Sequence, residues 1–195
     1  MSPTKREQQK SDRRIEILNC SLDLLVSRGF AAMKIRDIAD KLNISVGLFF
    51  NYFESKEKVY EELISIGISG PQNVVELYRD DMEPIDYFEM VTNQIFEAIK
   101  RDTFTAKMFM LMIQTINSET TPESVRRLLA NFDIYTPLIP VIEKGQERKQ
   151  IKEGDATSLL IAYWGSIQGI AQTYVLNQSV ILPNPHWIVD IIRAY

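Results

Sequence analysis

The residues best suited to bind another molecule lie in the stretch from Lys34 to Lys56. Two short apolar helical stripes are separated there by Asn43-Ile44-Ser45, and Ser45 can cap the second helix. Two helices of about two turns joined by such a break form a helix-turn-helix, whose second helix enters the major groove of DNA. Any two short packed helices of a bundle produce the same spacing, so the pattern alone leaves both interpretations open.

The second of these helices, predicted to run from Ser45 to Tyr52, carries few charges but has a distinct outward face. Phe49 and Phe53 are four residues apart and are expected to anchor the helix inward. Gly47 has no side chain, so the backbone of the first turn could approach DNA closely. The positions that this leaves outside are Val46, Gly47, Leu48, Phe50, Asn51 and Tyr52.

The sequence contains few residues that are suited to catalysis. His186 is the only histidine and follows two prolines, so a structural histidine is the better interpretation. Cys20 is the only cysteine and is predicted to fill space inside the first helix. Neighbouring carboxylates such as Glu61-Glu62 diverge on a helix, and no glycine belongs to a phosphate loop. We therefore expect no enzyme, no metal site and no cofactor.

Charge is distributed unevenly along the 195 residues, whose net charge is −4. Residues 1–60 hold eleven Lys and Arg against eight Asp and Glu, whereas the remainder holds eleven against eighteen. A mildly basic N-terminal part supplies the attraction to phosphate that DNA binding needs. A solvated tail without a binding function would have the same charge distribution. The longest apolar run, Met108–Ile113, is far shorter than the roughly 20 residues of a membrane span. With a polar N-terminus and one cysteine, a cytoplasmic protein is expected.

Helical periodicity dominates the chain, so the predicted fold is all-α with about nine or ten helices. The first helix is expected from Ser11 or Asp12 to Gly29, with Ile15 on its apolar stripe, and the fourth from Ser55 to a break at Ser69-Gly70-Pro71. A long helix should begin at Gly154-Asp155, and a last one at Pro185. The predicted domains are a three-helix DNA-binding domain with a basic arm, residues 1–55, and a helical bundle, residues 56–195.

Residues 15–63 closely resemble the N-terminal domain of the TetR/AcrR family of bacterial transcriptional regulators. The resemblance rests on Ile17-Leu18, Leu24-Leu25, Gly29-Phe30, Ile35-Arg36-Asp37-Ile38-Ala39, Ile44-Ser45-Val46-Gly47, Asn51-Tyr52-Phe53, Ser55-Lys56-Glu57 and Leu63. It implies a dimeric repressor that binds a palindromic operator. A small molecule bound in the C-terminal domain usually releases regulators of this kind from the operator. The rest of the chain is similar only in length, helix content and the start of its long late helix.

Several positions depart from the family's usual residues. They bear on the predicted reading surface, by which we mean the outward positions of the second helix from Val46 to Tyr52. Met33, Val46, Leu48 and Phe50 replace polar residues, although the last three can still contact thymine methyl groups. Asn51 is the best remaining candidate for a hydrogen bond to a base edge. The candidates for phosphate contacts are Lys34, Arg36, Tyr52 and Lys56, the last at a helix N-terminus, where the dipole favours an anion.

The C-terminal part is rich in aromatic residues and methionine, which line adaptable apolar pockets but more often form ordinary core. The candidate ligand-binding residues are Phe88, Phe96, Met108, Met112, Tyr163, Trp164 and Gln168. A homodimer is expected through two long helices, roughly 155–177 and 185–195, with Ile167, Ile170, Ile188 and Ile192 in the seam, although these residues could equally pack within one subunit.

The expected effector is small, mostly apolar, and neutral or weakly cationic, because the acidic C-terminal part repels anions. Its binding is expected to shift the fourth helix and change the spacing of the two DNA-binding heads, which requires a different affinity for each spacing. The alternatives are a non-catalytic protein-interaction module and a DNA-binding regulator with no small-molecule ligand.

Overall fold

The computed structural model describes residues 4–195, and in this part of the chain the fold is all-α, as predicted. The described residues form ten α-helices and a 3-10 turn at Thr136–Leu138; their only β interaction is an isolated bridge between Ile151 and Arg193. The helices are α1 Lys5–Ala32, α2 Ile35–Leu42, α3 Val46–Phe50, α4 Lys56–Glu76, α5 Pro84–Arg101, α6 Phe104–Asn117, α7 Glu123–Leu129, α8 Ile139–Glu147, α9 Ala156–Leu176 and α10 Pro185–Val189. Among these residues, no helix is both long enough and apolar enough to cross a membrane.

The helices group into two compact units that do not follow chain order. The head unit comprises the described residues up to Gly67 together with Leu111–Ala130, and the body unit comprises Ile68–Met110 and Asn131–Tyr195. Both α4 and α6 therefore contribute residues to each unit. The predicted division into a DNA-binding domain, residues 1–55, and a helical bundle, residues 56–195, concerns function and not compactness, so it stays a prediction.

The first helix begins earlier than the sequence pattern predicts. Thr4, rather than Ser11 or Asp12, is the N-cap: its hydroxyl accepts from the N–H of Glu7 at 3.3 Å, and the Glu7 carboxylate accepts from the N–H of Thr4 at 2.7 Å. This reciprocal capping box satisfies two N–H groups of the first turn, so an entirely polar segment extends the helix. Ile15, which the sequence pattern places on the apolar stripe, is 52% exposed and does not belong to the buried stripe.

The predicted break at Ser69-Gly70-Pro71 is wrong, because α4 continues through Pro71 to Glu76. Proline removes one hydrogen bond from a helix, but its φ, near −65°, is that of an α-helix. The predicted start of α5 at Pro84 is confirmed, as is the long α9, where the Asp155 carboxylate caps the helix by accepting from the N–H of Ser158 at 2.7 Å. Hydrogen bonds from the side chain and the backbone of Ser158 hold the pKa of Asp155 below its usual value.

The expected long last helix is also wrong: α10 ends at Val189, after five residues. Beyond it the chain pairs with residues 150–152, where the N–H of Lys152 donates to Ile192 at 2.8 Å and the N–H of Ala194 donates to Gln150 at 2.9 Å. The Lys152 ammonium adds bonds to the carbonyls of Asp190 and Ile191. These contacts replace helical hydrogen bonds and hold the C-terminal segment against the rest of the body unit.

Candidate nucleic-acid interface

The turn between α2 and α3 has the geometry that the sequence predicts. Asn43 adopts a left-handed conformation (φ 52°, ψ 48°), which asparagine tolerates better than most residues, and it ends α2. The Ser45 hydroxyl then caps α3 by accepting from the N–H of Leu48 at 3.0 Å. A short helix, a tight turn and a second capped helix together form a helix-turn-helix.

Two aromatic anchors set which face of α3 points outward. Phe49 is fully buried and Phe53 is only 4% exposed, and their ring centroids lie 6.0 Å apart. The buried residues Ile38 and Ala39 of α2 belong to the same unit. The prediction that Phe49 and Phe53 face inward is therefore confirmed.

The opposite face of α3 and the turn that follows it are open to solvent. Val46 is 41% and Phe50 49% exposed, Ser45, Gly47 and Asn51 are exposed, and Leu48 and Tyr52 are half-buried. The helix itself ends at Phe50, so Asn51 and Tyr52 stand in a turn beyond the predicted helical stretch. A Cβ added at Gly47 would meet only the Ser45 hydroxyl, at 3.9 Å, so internal packing does not require glycine here.

Two predicted phosphate contacts lie at the start of α2 with exposed cationic groups. Lys34 is exposed, and its backbone N–H, not its ammonium, donates to the Asp37 carboxylate at 3.3 Å. The Arg36 side chain is 83% exposed and lies 3.9 Å from Asp40, an ion pair that solvent screens strongly. Both cations can therefore reach an anion that approaches this end of the unit.

The structure places Lys56 differently from the prediction. Its ammonium donates to the carbonyls of Phe30 and Met33, both at 3.0 Å, and lies 4.3 Å from the centre of the Phe30 ring. These carbonyls belong to the end of α1, where the chain is kinked at Gly29 (φ 74°, ψ 167°). Lys56 thus joins the start of α4 to the end of α1, and a phosphate would have to compete with these bonds.

Replacing Lys56 by methionine, which keeps most of the side chain but removes the ammonium, should lower the free energy of unfolding by about 1–3 kcal/mol. The reason is that two partly buried carbonyls lose their donor. Urea denaturation measures the loss, and Lys58→Met is the matched control, because Lys58 only pairs with Glu61 at the surface. A Lys56→Met chain with wild-type stability and a weaker salt dependence of DNA binding would instead support the phosphate contact.

Arg14 is a positioning residue that sequence reasoning missed. Its guanidinium donates to the Tyr52 carbonyl at 2.8 Å, forms an ion pair with Glu62, and lies 4.2 Å from the centre of the Phe53 ring. It therefore ties α1 to the end of the reading surface and to α4. Its partners are 38 to 48 residues away in sequence, so no local spacing marks it.

The predicted ligand-binding residues lie mainly in the core of the body unit. Phe88, Phe96 and Tyr163 are fully buried, Trp164 and Met108 are 5% and 7% exposed, and Gln168 is half-buried. Met112 is the exception, because it belongs to the head unit. The predicted set thus contains six residues of one unit and one residue of the other.

An aromatic chain runs through this core and holds few polar groups. The rings of Tyr87, Phe88, Tyr163 and Trp164 contact edge to face, with centroids 5.1–5.3 Å apart. The Tyr163 and Thr92 hydroxyls are hydrogen-bonded at 2.7 Å, and burial raises the pKa of Tyr163, so its hydroxyl stays neutral. The indole N–H of Trp164 is buried and has no hydrogen-bond partner among residues 4–195.

The residues predicted for the dimer seam are largely internal, which corrects the predicted interface. Ile167 and Ile192 are fully buried and Ile188 is 6% exposed, all in the core of one chain, and Ile170 packs against that core. They were misassigned because helical spacing shows an apolar face without showing what covers it. The face of α9 that stays exposed carries Ile161, Ala162, Gly165, Gly169 and Thr173, followed by Leu176.

No group of three or more metal-ligating side chains occurs among residues 4–195. Cys20 is buried, as predicted, and that burial raises the pKa of its thiol, so it is a poor nucleophile. The reading surface of α3 therefore remains the best-defined candidate site.

Comparisons with known proteins agree with this geometry. A profile described as "Bacterial regulatory proteins, tetR family" matches residues 17–63, which contain the whole helix-turn-helix. The HTH-type transcriptional repressor KstR2 of Rhodococcus jostii is 40% identical over 55 residues, which are 28% of this chain and 27% of that protein. The chain thus spans only about a quarter of the length of this curated relative.

Two solved structures have the same fold over nearly the whole chain. A Clostridium perfringens protein described as a fatty acid metabolism regulator has a TM-score of 0.66 and 20% identity, covering 90% of this chain and 92% of that one. The ketosteroid transcriptional regulator KstR2 of Mycobacterium tuberculosis has a TM-score of 0.61 and 18% identity, covering 94% and 96%. At these identities the likeness shows the shared all-α fold. Residues 17–63 therefore match the helix-turn-helix domain of the TetR family, and the chain shares the all-α fold of these two solved structures.

Proposed function

We propose that this chain is a DNA-binding transcriptional repressor that binds a palindromic operator as a homodimer and is released by a small, mostly apolar molecule. The observation that carries DNA binding is the open face of α3, where Gly47 leaves the backbone bare between the exposed residues Val46 and Phe50. The relative with the matching N-terminal segment is named as a repressor, which supports repression.

Within this proposal the side chains divide into base-reading and phosphate-binding groups. Asn51 can donate to or accept from a base edge, and Val46, Leu48 and Phe50 contact methyl groups. Ser45, Lys34, Arg36 and Tyr52 position the helix on the backbone without reading sequence. Lys56 is better treated as a residue that positions α4, because its ammonium already donates to two carbonyls.

Binding to the DNA upstream of the chain's own gene tests the proposal directly. We expect a shifted band at low salt, and an affinity that falls steeply as salt rises, because each phosphate contact releases counterions. An equal length of DNA from inside a coding region serves as the control for sequence preference. If neither fragment shifts at low salt, the competing function, a non-catalytic protein-interaction module that uses the same helices, is favoured.

A second copy of the chain is the proposed partner of the exposed face of α9. Ile161 is 51% and Leu176 78% exposed, while Gly165 and Gly169 have nothing within 4 Å of a Cβ position, so a facing helix could approach closely. Trp187 on α10 is 65% exposed in the same unit. Reading two major grooves on one side of DNA needs a two-fold partner, which supports a dimer.

The proposed effector is a neutral apolar molecule with a hydrogen-bond acceptor. The aromatic chain of the body unit favours an apolar ligand, and the unpartnered Trp164 N–H favours one with a carbonyl group. One protein with this fold is named as a ketosteroid transcriptional regulator, and a ketosteroid is an apolar molecule with a carbonyl group, which supports the same class. The acidic balance of the chain beyond residue 60 disfavours an anion.

Tryptophan fluorescence can test the effector class with a matched pair of ligands. In a Trp187→Phe chain, emission reports Trp164 alone, since these are the two tryptophans of the sequence. We expect methyl dodecanoate to change this emission and to bind about tenfold more tightly than dodecanoate, which carries a negative charge. If neither compound changes the emission or releases DNA, a regulator without a small-molecule ligand of this class is favoured.

A further inference from the structure

The first two turns of α1, with their N-cap, form a polar helical extension, residues 4–12. Every one of its residues is exposed, and it contains no apolar side chain. Two isolated turns of helix are marginal in water, so the Thr4 capping box and the rest of α1 hold this segment in shape. A charged helical segment without an internal role is a surface available to a partner.

The cations of this helical extension follow the side of α1 that meets the reading surface. Arg6, Lys10 and Arg14 are spaced by four residues, so they form one row along the helix. Arg14 ends that row by donating to the Tyr52 carbonyl, in the turn that follows α3. The row therefore starts at the predicted DNA-reading surface and continues outward from it.

The two outer cations of the row form no ion pair within the described residues, whereas the inner one, Arg14, is paired. Arg14 pairs with Glu62 and the neighbouring Arg13 with Glu16, but Arg6 and Lys10 form no ion pair within the described residues. The nearby Glu7 carboxylate is held by the N–H and hydroxyl of Thr4, which lowers its pKa, and Asp12 accepts from Gln8. Free cations with occupied neighbouring carboxylates suit an external anion.

The length of the extension fits a second contact with DNA. From Arg14 back to Lys5 the helix runs about 13 Å, at 1.5 Å per residue. The major groove is about 12 Å wide, so this length can reach from a helix in the groove to phosphates beyond its edge. We propose that Arg6 and Lys10 bind the phosphate backbone that flanks each half-site, which adds affinity without reading sequence. This inference rests on the proposed DNA-binding function.

The test compares the wild-type chain with an Arg6→Gln/Lys10→Gln double variant on two duplexes. Both duplexes contain the segment that the double variant protects upstream of the gene; one is trimmed at the edges of that segment and the other keeps ten further base pairs on each side. We expect the wild-type chain to prefer the longer duplex and the double variant to lose that preference. The slope of log affinity against log salt should fall by about 0.9 for each lost phosphate contact, or about 1.8 per protomer.

A Lys100→Gln/Arg101→Gln variant is the matched control, since it removes the same two charges from the exposed last turn of α5. It should keep the wild-type preference and slope, and both variants should keep the wild-type Tm. If the Arg6→Gln/Lys10→Gln variant matches the wild-type chain in slope and length preference, the flanking contact is wrong while DNA binding stands. If the wild-type chain binds neither duplex, the proposed function fails, and this inference fails with it.

Discussion

Replacing Gly47 by glutamate should abolish specific DNA binding while leaving the fold intact. Gly47 lies on the first turn of α3, and a Cβ there would meet nothing closer than the Ser45 hydroxyl at 3.9 Å. The new side chain therefore fits the free protein, and glutamate in place of glycine favours the helix by up to about 1 kcal/mol. In the DNA groove the same side chain would hold the backbone away and bring its carboxylate against the phosphates. Like-charge contacts cost several kcal/mol, so we expect affinity to fall by about 100-fold or more.

Fluorescence anisotropy on the protected upstream duplex measures the affinity, and thermal unfolding checks the fold. Gly70→Glu is the matched control, because Gly70 is also an exposed helical glycine with open space at its Cβ position. That variant should bind DNA within a few-fold of the wild-type chain. If Gly47→Glu binds as well as Gly70→Glu, α3 is not the reading helix.

Replacing Gly165 by arginine should convert a dimer into a monomer. Gly165 lies on the exposed face of α9, between Ala162 and Gly169, and has nothing within 4 Å of its Cβ position. The substitution is harmless in one subunit, but a helix packed closely against this face would bury a large unpaired cation. A buried charge without a partner costs several kcal/mol, so the dimer dissociation constant should rise by about 100-fold or more.

Light scattering at micromolar concentration gives the mass directly, since one chain is 22.5 kDa and a dimer is twice that. Gly70→Arg, on an exposed helix that the proposal leaves free, is the control and should remain dimeric. The monomeric variant should also lose affinity for a duplex with two half-sites far more than for a duplex with one. A wild-type chain that is monomeric at this concentration, or a Gly165→Arg chain that stays dimeric, would contradict the proposed interface.

The helix-turn-helix that carries the reading surface was predicted from residues that lie close together in the sequence. The turn at Asn43, the Ser45 cap and the inward Phe49 depend on residues within a few positions of one another, and all three were predicted correctly. The chain also contains the capping box between Thr4 and Glu7, which is a local signal, but Ser11 and Asp12 offered competing caps. Local signals of equal quality cannot be ranked without the energies of the surrounding structure.

The sequence by itself determined that the chain is all-α, that a helix-turn-helix lies between Lys34 and Phe53, and which aromatic residues anchor it. These properties follow from helical periodicity, capping and turn chemistry, all of which act over short distances in the chain. Only the tertiary structure decided the partners of long side chains and apolar faces. Lys56 binds carbonyls more than 20 residues away, and Arg14 reaches Tyr52 and Glu62. Ile167 and Ile192 are covered within their own subunit, because burial depends on which helices meet in space, and spacing along one helix cannot specify that.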